Sequence, residues 1–103
     1  MKELTAKEVQ ILKVVYDAFG GACLERQLLA FSDISDDDID ELARKNFLKR
    51  YEVEGLRFLI VRHAFYKYIG NPNRNFTLTG YNLKKSALLA EYWLTKFPTV
   101  PLH

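Results

Sequence analysis

The chain has 103 residues, 49% of them apolar, enough for one domain that buries roughly 60–70% of its unfolded surface without staples. A lone Cys23 allows no internal disulfide, and no run approaches the ~20 apolar residues that span a bilayer, so a disulfide scaffold and a membrane segment are both excluded. The net charge of +2 hides a split: residues 1–54 hold eight Lys/Arg against twelve Asp/Glu, and residues 55–103 hold seven against Glu91 alone, which predicts two faces with different partners.

Thr5-Ala6-Lys7-Glu8 has the spacing of a capping box and predicts a helix start. The charged opening Met-Lys-Glu-Leu-Thr-Ala-Lys-Glu has no apolar leader core, which predicts a cytoplasmic protein. Leu4, Ile11, Leu12, Val15 and Phe19 then form one buried stripe, and Gly20-Gly21 supplies a left-handed stop. Without a following Lys and Ser/Thr, that glycine pair is no phosphate loop. Leu24, Leu28 and Phe31 read as a second, shorter amphipathic helix.

Ser35 predicts the N-cap of a third helix, with Asp36, Asp37 and Asp38 in the first turn, where the helix dipole favours negative charge. Ile34 and Ile39 occupy the two positions of a hydrophobic staple, and Ile39, Leu42, Ala43 and Phe47 form the buried side. Asp40 precedes Arg44 and Glu41 precedes Lys45 by four residues, the favourable order for ion pairs along a helix. Helix-start chemistry thus accounts for the acidic stretch Ser35–Asn46; its functional alternative is a docking surface for a basic protein partner.

Residues 47–53 and 56–63, rich in aromatic and β-branched residues and separated by Glu54-Gly55, predict a β-hairpin. Ala64–Ile69 fits either state, since Phe58, Val61, Phe65 and Tyr68 also share a helical face; a strand is the favoured reading. Gly70 to Asn75 reads as a loop, Phe76-Thr77-Leu78 as a short return strand, and Thr79 as the cap of a last helix over 79–97. On that helix Leu83, Ala87, Ala90 and Leu94 make one apolar stripe and Leu89, Trp93 and Phe97 a second, widened by Leu88 and Tyr92. A helix apolar on nearly all sides needs more than its own small core, which predicts a homodimer joined through Leu89, Trp93 and Phe97.

Three helices followed by a hairpin give a mainly α fold with a small β-hairpin wing. Leu4-Thr5 at the first helix, Leu42-Ala43-Arg44-Lys45-Asn46-Phe47-Leu48-Lys49-Arg50 at the end of the third, and Leu78-Thr79-Gly80-Tyr81 before the last resemble a winged helix-turn-helix. More narrowly, they are similar to PadR-like regulators and plasmid replication-relaxation proteins. The resemblance implies one domain over 1–103, with a winged-helix core at 1–78 and an added C-terminal dimerisation helix at 79–97. It implies a regulator of transcription or of a mobile element that binds double-stranded DNA.

The charges bend that expectation. In winged helices the third helix commonly reads base edges, yet here Asp37, Asp38, Asp40 and Glu41 stand on its polar side, opposed by phosphate charge about every 1.7 Å of duplex axis. A basic hairpin is the expected alternative: Lys49, Arg50, Arg57, Arg62, Lys67 and Arg74, interleaved with Phe58, Tyr66 and Tyr68, as phosphate contacts. The second expectation is a winged-helix protein-interaction module without DNA binding. Reactive groups are few. His63 and His103 form no metal-ligand spacing with Cys23, and the aspartate run lacks the alternating ligands of a calcium loop. No metal, no cofactor and no enzymatic activity are therefore expected.

Overall fold

Thr5 starts the first helix as its spacing with Glu8 predicts. In the computed structural model, which describes residues 3–96, the Thr5 hydroxyl accepts from the Glu8 amide at 3.1 Å and the Glu8 carboxylate accepts from the Thr5 amide at 2.8 Å. Helix α1 (Ala6–Lys13) then widens into a π-helical turn, Val14–Ala18, where the Phe19 amide donates to the Val14 carbonyl at 3.2 Å. Gly20 and Gly21, with φ of 79° and 112°, end it. Gly21 lacks a side chain for a further reason, since a Cβ there would stand 2.9 Å from the Phe76 ring and 3.1 Å from the Tyr66 hydroxyl.

Leu24, grouped by spacing with Leu28 and Phe31, instead ends a strand. β1 (Ala22–Leu24) comes first, and α2 is confined to Glu25–Leu29. All three strand residues are buried, so the sequence shows none of the polar alternation that marks a half-exposed strand. Helix α3 (Asp36–Arg44) starts where Ser35 places it: the Ser35 hydroxyl accepts from the Asp38 amide at 3.4 Å and the Asp38 carboxylate from the Ser35 amide at 2.9 Å. Ile34 and Ile39 are both buried. Asn46, at φ 66°, ends the helix, and the Phe47 amide reaches back to the Leu42 carbonyl at 3.0 Å.

The predicted hairpin forms as β2 (Leu48–Val53) and β3 (Leu56–Val61), joined by Glu54-Gly55. Both turn residues have positive φ, 51° and 78°, the type I′ geometry that matches strand twist. β3 lies in the middle of a three-stranded antiparallel sheet of order β1-β3-β2, so the hairpin gains a third strand that the sequence reading lacks. One face of the sheet, with Cys23, Leu48, Leu59 and Val61, closes the main core against the first three helices. The other, with Ala22, Leu24, Phe58 and Ile60, packs against Leu83 of the last helix.

Ala64–Ile69 is where the favoured strand gives way to a helix, α4 (His63–Tyr68). The Val61 amide donates to the Gly21 carbonyl at 2.9 Å, and beyond it β1 has no residue left to pair with. The chain therefore satisfies its own backbone groups as a helix. Phe65 and Tyr66 are buried, with Tyr16 ring centroids 6.2 and 5.1 Å away, respectively. Phe76-Thr77-Leu78 forms no strand either; its course is irregular, held by the Asn82 side-chain amide donating to the Thr77 carbonyl at 2.8 Å.

Thr79 caps α5 (Gly80–Lys96), accepting from the Asn82 amide at 3.0 Å. Leu83 and Ala90 are buried, and Trp93 and Leu94 pack against the main core. The fully buried Gln27 clamps α5 to α2: its carbonyl accepts from the Leu24 amide, and its amide donates to the Ala87 carbonyl at 2.8 Å and to Glu91 at 2.9 Å. The result is an α/β domain of five α-helices, one π-helical turn and a small antiparallel sheet among the described residues. No helix among them is long and apolar enough to cross a membrane.

Candidate nucleic-acid interface

The six cations predicted to hold DNA do not stand alike. Arg50 on β2 contacts the Asp40 carboxylate of α3 and lies 3.4 Å from Glu25 of α2. Arg57 on β3 lies 3.8 Å from Glu25 and 3.9 Å from Glu52. Strand alternation causes this, because Arg50 and Arg57 share the sheet face that turns toward α2 and α3, where the carboxylates are. Hydrogen bonding to Asp40 raises the Arg50 pKa further against the opposing pull of burial, with Glu25 adding to the rise. An open groove of about 580 Å³, lined by Glu25, Asp36, Asp40, Arg50, Glu52 and Arg57, is thus internally neutralised and carries excess acid.

Lys49, Arg62 and Lys67 are exposed and make no ion pair among the described residues. Lys49 stands opposite Ile60 in the β2-β3 ladder. Arg62, two residues past Ile60 with an extended backbone (φ −84°, ψ 158°), falls on the same face, which makes it a diagonal neighbour of Lys49. Its amide donates to the Phe47 carbonyl at 2.9 Å, fixing the base of the hairpin. Lys67 follows in α4. Arg74 lines a cleft with Tyr66 and α5. His63 donates from Nε2 to the Pro72 carbonyl at 2.6 Å, a structural bond across the 70–75 loop.

Of the two expected four-residue pairs of the acidic third helix, Glu41–Lys45 forms. Arg44 contacts Glu41 rather than Asp40, which is drawn to Arg50. Lys45 stands 3.9 Å from Glu41 but 2.7 Å from the buried Glu8 of α1, and its ammonium also donates to the Glu3 carbonyl at 2.8 Å. Burial alone would raise the Glu8 pKa, yet Lys45 and the Thr5 amide together hold it below its ordinary value. Asp38 behaves likewise: the Ser35 amide and Lys7, 3.0 Å away, outweigh its partial burial and lower its pKa. Asp36 and Asp37 remain on the exposed side.

Of the predicted dimerisation residues, Leu89 is half-buried beside the Tyr66 cleft, Trp93 is half-buried against the chain's own core, and Phe97 lies outside the described residues. The apolar residues that α5 does expose are Tyr81 (68%), Leu88 (64%) and Tyr92 (60%). Their spacing of seven and four puts them on one stripe, a signal present in the sequence. Glu25 and Glu52, which take up Arg50 and Arg57, could not be found from spacing because the contacts cross three elements.

Comparison with protein-family models, curated proteins and solved structures returns no match to this chain.

Proposed function

We propose that the chain is a DNA-binding regulatory protein of winged helix-turn-helix type that grips the phosphate backbone with the base of its hairpin and α4 rather than with α3. The element order α1, β1, α2, α3, β2, β3 and the sheet order β1-β3-β2 support the winged-helix reading. One observation carries the choice of surface: Lys49, Arg62 and Lys67 face solvent without acidic partners, whereas Arg50 and Arg57 are engaged by Asp40, Glu25 and Glu52. Unpaired cations release counterions from phosphate; paired ones must first lose a carboxylate.

The test is a mobility-shift series on random-sequence duplex across salt concentrations. Lys49→Ala and Arg62→Ala should each weaken binding alike for all sequences and flatten the log–log salt slope by about one unit, while Arg50→Ala and Arg57→Ala change it little. The opposite pattern would move the interface to the hairpin tip and α3. No binding even at low salt would remove DNA altogether.

The acidic face supports a second reading, an interaction module for a basic protein. Glu25, Asp36, Asp40 and Glu52 line one open groove between the third helix and the wing, and Asp37 is exposed in the first turn of that helix. Retention on immobilised polylysine, lost in an Asp36→Asn/Asp37→Asn variant, combined with indifference to DNA, would favour it. Either reading is compatible with pairing of two copies through α5, for which Tyr81, Leu88 and Tyr92 now replace Leu89 and Trp93 as the available stripe.

A further inference from the structure

A polar cleft of about 410 Å³ opens between the π-helical turn, the segment after α4 and the flank of α5 that carries Asn82, Lys85, Ser86 and Leu89. Tyr66 and Ser86 line it with hydroxyls that have no hydrogen-bond partner among the described residues. Tyr66 is 4% exposed and Ser86 3%, yet neither side-chain oxygen donates to or accepts from any described residue. Buried polar groups are normally paired, because an unmade hydrogen bond costs about 1–3 kcal/mol. Both hydroxyls retain access to the cleft, and no side-chain atom in the described structure is both wholly enclosed and unsatisfied. Each is therefore a hydrogen-bonding group that a ligand in the cleft can reach.

The surrounding charges say what kind of group that is. Arg74 and Lys85 both line the cleft and neither has an acidic partner among the described residues. Arg74 is near enough to Tyr66 to oppose the rise in the phenol pKa that burial and Tyr16 produce. Asn75 commits its carbonyl to the Phe76 amide at 2.9 Å, which leaves its NH₂ as a donor. Two cations, two hydroxyls and an amide exceed what the two oxygens of one carboxylate readily absorb, and match the three terminal oxygens of a phosphoryl group.

The cleft is also far larger than a bare ion needs, since a water's share of liquid volume is only about 30 Å³. Beside the Tyr16 and Thr77 hydroxyls, it offers two acceptors: the Asp17 carboxylate, on the π-helical turn, and the Asn82 side-chain oxygen, whose NH₂ is already given to Thr77. Acceptors suit a ligand body that carries hydroxyls. We propose that this cleft binds a small phosphorylated polyol or sugar, with the phosphoryl group between Arg74 and Lys85 and the hydroxylated body toward Asp17 and Asn82.

The site is independent of the DNA reading, because none of its residues belongs to the Lys49, Arg62 and Lys67 surface. Ribose 5-phosphate is the probe, followed by amide chemical shifts of the full chain at constant ionic strength, with ribose alone and inorganic phosphate as the other arms. Saturable shifts confined to Gly20, Asn75, Ser86 and their neighbours are expected with ribose 5-phosphate below about 10 mM, weaker ones with phosphate and none with ribose. Arg74→Ala and Lys85→Ala should each weaken binding at least about five-fold, and Arg62→Ala should leave it unchanged. Tyr66→Phe and Ser86→Ala, which remove only the unpartnered hydroxyls, should weaken it without lowering the melting temperature. Absence of saturable shifts, saturation at another surface, or binding undiminished in the Arg74→Ala/Lys85→Ala double variant would each overturn the proposal.

Discussion

Glu54 holds a backbone conformation that suits few side chains. Its φ of 51°, followed by Gly55 at 78°, is needed for the two-residue turn, and asparagine enters that region far more readily than glutamate. The Glu54 side chain makes no hydrogen bond or ion pair among the described residues that asparagine would forfeit, so Glu54→Asn should stabilise the fold by roughly 0.5–1 kcal/mol in denaturant unfolding. Asp38 gives a residue-scale prediction in pH. Because Ser35 and Lys7 lower its folded pKa, its contribution to stability is complete above the unfolded value of about 4 and disappears as pH falls through the lower folded value. The stability gap between the wild type and Asp38→Asn should therefore be present at neutral pH and close below about pH 4 in thermal melts. A gap that persists unchanged into acid would mean that the Asp38 carboxylate is not what caps α3.

At the scale of elements, the decisive contacts are those that tie distant segments together. Gln27 is wholly buried and satisfies groups on β1 and α5 at once. Gln27→Ala would orphan the Leu24 amide, take the side-chain donor from the Ala87 carbonyl and Glu91, and open a cavity, which should cost about 2–3 kcal/mol and loosen α5 first, visible as faster amide exchange there than in α1. These ties also mark the limit of sequence reading. Caps are local, so Thr5, Ser35 and Thr79 fixed three helix starts from their own neighbourhoods, and Glu54-Gly55 fixed the turn. Lys45, by contrast, reaches Glu41 as its spacing predicts, at 3.9 Å, but its nearer partner is Glu8, 37 residues away in sequence, which spacing does not reveal. Ala64–Ile69 read as a strand because its aromatics suit both states, and what decides is that β1 ends at a point only the folded sheet reveals. The cationic surface suffered the same loss: which arginines are neutralised depends on α2 lying beside the hairpin.

At the scale of the molecule, α5 must serve two surfaces with one helix. Its inner side is committed, since Leu83, Ala90, Trp93 and Leu94 complete the cores that hold the sheet. Its outer side still presents Tyr81, Leu88 and Tyr92, a stripe that a two-fold partner could bury against itself. Edge pairing is a poorer route to assembly, because the β2 edge strand carries Lys49, Arg50 and Glu52, charges of the kind that block strand addition. The two sides of α5 make separable predictions. Leu88→Glu, on the outer side, should convert a dimer seen by light scattering at micromolar concentration into a monomer with an unchanged circular dichroism spectrum. Trp93→Glu, which places a carboxylate against the main core, should instead lower the melting temperature sharply, by on the order of 3 kcal/mol in stability, whatever the oligomeric state. If the wild type scatters as a monomer at high concentration, the exposed stripe is not a self-association surface. If Leu88→Glu leaves a dimer intact while Trp93→Glu yields a folded monomer, the stripe named by Leu89 and Trp93 makes the contact after all, and the inward packing of Trp93 is not its resting position in the dimer.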